Sequence, residues 1–473
     1  MTHAVRRVGG LAVASLVALW LLVGMAAARP DKPKPPRHSS PPAAPTAGTA
    51  GSFSYGELRG DTVGASGCGD NVAAEPAIHV SPASDVFLSS ERGLSGGTDV
   101  WRGLGATGGS GASGCGLEYR GQPNAVAGTG ASGGDTDLAI ASAPNALGNL
   151  NVYVASLNLA SVAVAHSGDR GATFANVPVV GGLPGDDRPW IAAYGASTSL
   201  LTFHDIATDN IDVLRSDDGG STYVQRSRVI DDTDYKAQAN ELGNLVIDRR
   251  NPTAGGFWAY QSFVAPSDLN GSDYNEAFLG VSDDGGTTWS VKPIPCSTSG
   301  TGLDHIFPNV SVAPDGELWY AWSDDRNVFT AHSSDHGGTW TCSGPVSTSS
   351  AQAVMPWLVA TSAGVDLVYY GSPTAPGPKA NQTFYVYFAQ DPTSTPSGWG
   401  SPQQLMPVHQ GEVCEGGFGC NSGRQLFDDF GVDTDPAGWA HIAFSHDAPN
   451  LGGSGSYTGY AVQTGGTQVG APN

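Results

Sequence analysis

Positive charge is scarce in this chain, so the places where it sits among acids and histidines stand out. Lys and Arg total 22 of 473 residues, against 44 Asp and Glu. Two runs read Asp-Asp-Arg, at Asp186-Asp187-Arg188 and Asp324-Asp325-Arg326, and a third arginine, Arg424, precedes Asp428 and Asp429. Glu91-Arg92, His204-Asp205, Asp304-His305 and His446-Asp447 are further pairs of the same kind. A guanidinium presents a planar fork of donors that matches a carboxylate through two parallel bonds. An Asp whose pKa is raised by burial can act as acid and base in turn. The same neighbours allow a plainer role, in which each arginine pairs with its adjacent Asp and ties parts of the fold together.

These residues lie far apart in sequence, so the fold must gather them. Its signature is a repeat. The frame Ser-x-Asp-x-Gly-x-Thr-aromatic occurs at Ser167–Phe174, Ser216–Tyr223, Ser282–Trp289 and Ser333–Trp340, with starts 49, 66 and 51 residues apart. Asp and Gly make a tight turn, and Thr with an aromatic residue re-enters a strand. A second repeat is independent of the first. VSVAPDGELWYAWSDD from Val310 aligns without gaps to VDTDPAGWAHIAFSHD from Val432, and EPAIHV from Glu75 matches FPNVSV from Phe307. Spacing of this order means stacked, similar units. The units begin near Glu75, Asp135, Asp187, Leu242, Phe307, Met355 and Phe430, which predicts an all-β propeller of seven four-stranded antiparallel blades, with six as the alternative count. Ser95–Trp101 (SGGTDVW) reads as a decayed copy of the turn in the first unit, and Gln390–Trp399 as one in the sixth. The seventh unit lacks a last strand, and SFSYGELRG from Ser52 is expected to supply it and close the ring. Loops between second and third strands, and the starts of the inner strands, then share the face opposite the repeated turns. All the arginine, aspartate and histidine residues named above fall on that face, around a central funnel.

The four turns resemble the Asp box of the sialidase-like BNR-repeat propellers. That resemblance implies a structural role for Asp169, Asp218, Asp284 and Asp335, remote from chemistry. It further implies an exo-acting glycoside hydrolase on sialic-acid-type or other acidic sugars. Arg188, Arg326 and Arg424 would grip the sugar carboxylate, and Asp187 or Asp325 would serve as acid and base. A Tyr–Glu nucleophile would be drawn from Tyr260 and Glu241, with Arg92, His204, Asp304 and His446 as further binding residues. The F/Y-R-I-P motif of sialidases is absent; the first unit has EPAI, and the nearest echo is DDRPW at Arg188. Xyloglucan-cleaving propellers that use two carboxylates, and non-enzymatic extracellular binding propellers, are similar as well. A binding or scaffold propeller is therefore the alternative function.

Composition sets the outer limits. Arg6 and Arg7, an apolar run from Val8 to Met25 and Ala26–Ala28 read as a signal peptide over residues 1–28, with an uncleaved membrane anchor as the alternative. Proline-rich residues 29–50 read as a linker, leaving 51–473 as one propeller domain. The expected setting is extracellular. Six cysteines suit it, and the simplest pairs are Cys414–Cys420, Cys68–Cys115 and Cys296–Cys342. The net charge of −22 disfavours nucleic acid and anionic membrane as partners. A carbohydrate or glycan ligand and a monomeric state are expected. No cofactor is required, although calcium could bind acidic loops such as the insertion around Asp268, Asn270, Asp273 and Glu276.

Overall fold

The computed structural model describes residues 51–93, 96–126, 130–131, 134–158, 161–177, 186–374 and 382–473. The expected signal peptide and linker lie outside the described residues. Seven antiparallel sheets of four strands form the seven blades of a β-propeller. Their first strands are Ala74–Val80, Thr136–Ile140, Asp186–Tyr194, Glu241–Thr253, Asn309–Val312, Gln352–Ala360 and Gly431–Thr434. Among the described residues no helix is long and apolar enough to cross a membrane.

Inner strands are buried on both faces between neighbouring blades, so they read as short continuous apolar runs rather than as alternating patterns. Val152–Leu157 in blade 2 and Leu318–Ser323 in blade 5 are buried along their whole length. The fourth strand of blade 3, Val224–Arg228, faces solvent and is mostly polar, whereas that of blade 6, Gln403–Gln410, sends Leu405, Met406 and Val408 into the core. Polar side chains of the inner strands stitch each blade to the next. Asp137 accepts the Ile191 N–H, Asn244 the Val310 N–H, Asn309 the Leu358 N–H and Asp433 the Val80 N–H, each at 2.8 Å.

The ring closes as the sequence predicts. Blade 7 has three strands from the end of the propeller, and Gly51–Glu57 adds the fourth, pairing from Gly51 with Gly466 to Glu57 with Gly459. The added strand covers the otherwise open edge of Tyr457–Gly466. The three expected disulfides are all present.

The four repeated turns link third to fourth strands in blades 2 to 5 and close with one set of bonds. In blade 4, Ser282 Oγ donates to Asp284 Oδ1 at 2.9 Å and accepts the Gly286 N–H at 3.0 Å, while Asp284 accepts the Thr288 N–H and hydroxyl, each at 2.8 Å. The frame glycines, Gly171, Gly220, Gly286 and Gly337, take φ of 70°, 88°, 84° and 77°, which a Cβ would strain. The closing aromatic residue then fills the gap beside the preceding blade: Trp289 donates from Nε1 to Ser227 Oγ of blade 3 at 3.0 Å. The sixth blade keeps the device in altered form. Asp391 accepts the Thr393 and Thr395 N–H groups, and Trp399 donates to Thr330 Oγ1 of blade 5 at 3.1 Å.

The first blade corrects the sequence reading. Thr98–Gly103, from the supposed decayed turn, is the third strand of blade 1, with Trp101 fully buried in it. The real third-to-fourth connection runs from Leu104 to Leu117, and Cys115 ties it to Cys68. Thr, Val and Trp there follow strand preference and burial rather than turn chemistry.

Candidate functional site

Four inner strands open with a residue before proline: Glu75-Pro76, Arg188-Pro189, Phe307-Pro308 and Met355-Pro356. Blades 1, 3, 4 and 6 carry a one-residue bulge at this point, seen as register breaks at Ala74/Ala77, Asp187/Trp190, Leu242/Leu245 and Val354/Trp357. A bulge re-aims a side chain. Glu75, Arg188 and Met355 take φ of 58°, 54° and 53° there, which is uncommon for any residue but glycine.

Arg188 is the hub. Its guanidinium reaches Glu75 of blade 1, Asp135 at the start of blade 2 and Asp428 before blade 7. It also lies over the ring of Phe307 of blade 5, 4.4 Å from the centroid. Asp428 is shared, since Arg424 donates to its Oδ2 at 2.7 Å. Burial pulls the pKa of Arg188 down, but Asp135, Glu75, Asp187 and Asp429 outweigh it and hold the group charged. Next to Arg188 the packing is apolar. Phe307, Met355 and Leu242 pack with Trp190 and Trp357, whose ring centroids are 5.6 Å apart.

The acids around Arg188 fall into two groups. Glu75, Glu91, Asp428 and Asp429 are almost wholly buried, at 1%, 4%, 3% and 5% exposure. Burial, reinforced by Asp135, pushes Glu75 up to about 8 despite its arginine, and burial with neighbouring acids lifts Glu91 and Asp429 well above the carboxylate range. Asp187 and Glu241 are only partly buried. Burial and the charge of Asp135 push Asp187 up to about 8. Glu241 is raised to about 7, chiefly by burial. Further round, His305 Nδ1 meets Glu415 Oε2 at 3.0 Å, and Gln352 donates to Asp325 Oδ1 at 2.6 Å. Burial lowers the pKa of His305, but Glu415, Asp325 and Asp304 more than offset it and favour the charged ring.

The sequence-predicted residues divide accordingly. Arg188 and Arg424 converge on one carboxylate. Arg326 stands exposed at the hairpin tip between the second and third strands of blade 5, with its backbone N–H on Asp324 Oδ1 at 3.0 Å. Neither Asp-Asp-Arg run pairs its arginine side chain with the adjacent Asp; Arg188 reaches other blades instead. Asp325 and Asp304 lie near His305, and Asp304 is exposed. Arg92 is engaged elsewhere, on Asp99 at 2.7 Å and Gly60 O at 3.0 Å. His204 bonds the Asp209 carbonyl at 3.0 Å. His446 is buried between Phe444 and Tyr457, and burial lowers its pKa to about 4. Tyr260 is not a partner of Glu241: its hydroxyl meets His336 Nδ1 at 2.7 Å, in the repeated turn of blade 5 on the opposite face. Tyr274 is the tyrosine whose ionisation Glu241 opposes. Glu75, Asp135 and Glu415 were missed. The pre-proline position that Glu75 shares with Arg188 was the available signal for the first.

The insertion between strands two and three of blade 4 folds on itself. Asp268 accepts the Asn270 N–H at 2.8 Å, and Glu276 accepts the Thr298 hydroxyl at 2.9 Å. Among the described residues, the one set of three side chains at metal-ligand spacing is Glu75, Glu91 and Asp135.

No known protein family matches this sequence, and no curated protein does. Solved structures do resemble the fold. The α-L-arabinofuranosidase Arb93A of Fusarium graminearum superposes with a TM-score of 0.44 at 11% identity, over 88% of this chain and 98% of its own. The GH74 xyloglucanase of Xanthomonas campestris gives 0.46 at 14%, over 86% and 55%. The leech intramolecular trans-sialidase gives 0.41 at 10%, over 84% and 68%. Similarity at this level concerns chain path alone.

Proposed function

We propose that the funnel is the active site of a glycoside hydrolase that works with carboxyl groups. Asp187 donates a proton to the glycosidic oxygen, and Glu241 is the second carboxylate, facing the sugar or its attacking water. The observation that carries this reading is their placement. They begin the inner strands of adjacent blades, beside the fixed charge of Arg188, and are partly exposed whereas Glu75, Glu91, Asp428 and Asp429 are sealed. Asp187 meets the condition for a proton donor near neutrality, because burial and Asp135 keep its proton on.

The charge balance argues for sugars without a carboxylate. Gripping an acidic sugar needs free guanidinium groups, and those of Arg188 and Arg424 are already engaged by Glu75, Asp135 and Asp428. Arg326 alone of the three is exposed for that task. Three disulfides suit an oxidising setting outside the cell, where polysaccharide is met.

The test is turnover of aryl glycosides of neutral pentoses and hexoses beside a fluorogenic sialoside. Neutral glycosides should be cleaved, and Asp187→Asn should lower kcat by roughly 10²–10⁴-fold with KM little changed. Sialoside turnover abolished by Arg326→Ala would replace this reading with an arginine grip. Glycan binding with no turnover of any substrate would leave a binding propeller and end the hydrolase proposal.

A further inference from the structure

We propose that Glu75, Glu91 and Asp135 bind a hard divalent cation, calcium by preference, in the floor of the funnel where blade 1 meets blade 2. One oxygen from each lies within 4.8 Å of the other two. Calcium takes oxygen ligands at about 2.3–2.6 Å, so oxygens on opposite sides of the ion stand roughly 5 Å apart and adjacent ones closer. The grouping is built by the fold. Glu91 ends the second strand of blade 1 opposite Ala74, which brings it beside the bulge that carries Glu75. Asp135 comes from the next blade, directly before its inner strand.

A second, separate observation points to a ligand. Asp429, from the far side of the ring in sequence, is 5% exposed, and its Oδ1 has no hydrogen-bond partner. Its strongest charge neighbour is Glu75, whose own Oε2 is also buried without a partner. Buried carboxylate oxygens are rarely left so, because desolvation is then uncompensated. Acidic groups also outnumber basic ones here. Glu75, Glu91, Asp135, Asp428 and Asp429 make five carboxylates, against the two guanidinium groups of Arg188 and Arg424. Magnesium fits less well, since it retains water and demands a tight octahedron, whereas these ligands are fixed by three different segments.

The proposal does not depend on the hydrolytic reading. Protein stripped with EDTA and exchanged into buffer should bind one calcium per chain in titration calorimetry. Added calcium chloride should raise its unfolding midpoint in a dose-dependent way, and magnesium chloride should do so more weakly. Glu91→Gln should weaken calcium binding at least tenfold, and Asp135→Asn should do the same if the first variant folds poorly. Glu276→Gln, in the insertion, should leave binding unchanged. Folded wild-type protein that binds no calcium at about 10 mM, above the weak end of extracellular sites, would overturn the proposal. So would affinity that survives both Glu91→Gln and Asp135→Asn. Neither outcome involves a sugar substrate, so failure here is separate from failure of the hydrolase reading.

Discussion

One face of this propeller repeats itself and the other does not. On the turn face, Ser, Asp, Gly and Thr close four blades with the same bonds, and Asp169 and Asp335 are held down to about 2, with hydrogen bonds from the turn outweighing burial. On the funnel face the starts of the inner strands carry Glu, Arg, Phe and Met at one position, and the acids are pushed up, not down. The same carboxyl chemistry thus has opposite protonation on the two faces. Donors from its own turn satisfy an Asp on the first, whereas burial among other acids governs the second. Repetition builds the frame, and the places where repetition fails hold the charges.

The sharpest way to break this contrast is at its hub. Arg188→Met should destabilise the protein by about 3–5 kcal/mol or prevent folding, because Glu75, Asp135 and Asp428 would lose their buried counter-charge. Chemical denaturation measures it. A loss under about 1 kcal/mol would mean that protons replace the arginine at no expense. The turn face should respond less. Trp289 is half-buried and bonded to Ser227, so Trp289→Ala should lose about 2–3 kcal/mol, below the full range for a sealed Trp. An equal loss at Trp289 and Arg188 would erase the distinction between the faces.

The smallest effect is in pH. Glu241, and Asp366 in blade 6, are both raised to about 7 by burial, so the folded chain holds protons that the unfolded chain has released. Their contribution is therefore complete below the unfolded carboxylate range near pH 4 and is lost as pH rises through about 7. The turn aspartates act in the other sense, favouring the fold above about pH 4 and ceasing to as pH falls toward 2. Thermal unfolding in EDTA should show greatest stability at mildly acidic pH and a decline toward pH 9. Asp366→Asn should flatten that alkaline limb, and an unchanged limb would show that Asp366 ionises without penalty in the fold.

Much of the frame was legible because its determinants are local. Each repeated turn is satisfied within eight residues, so Ser282 to Trp289 announces itself without reference to the rest of the chain. The closing strand and the disulfides were legible by bookkeeping of unpaired units and cysteines. The site was legible only in part. Arg188 stood out beside two aspartates, but its partners Glu75, Asp135 and Asp428 lie 113, 53 and 240 residues away, and adjacency pointed to the wrong acids. Glu415 enters the funnel on the small loop closed by Cys414 and Cys420, which no periodicity marks. Tyr260 failed because strand position decides which face a side chain serves. It lies opposite Val246, toward the turn end of its hairpin, whereas Glu241 lies opposite Val264.

The strand Gly51–Glu57 has a consequence for the order of events in synthesis. It leaves the ribosome before any of the seven sheets exists, and its partner Tyr457–Gly466 leaves about 400 residues later. Blades 1 to 6 each draw on contiguous chain and can form as they appear. The circle cannot shut until this early strand, waiting unpaired, meets Tyr457–Gly466, so the buried charges that bridge blades 1, 2, 3 and 7 are assembled late.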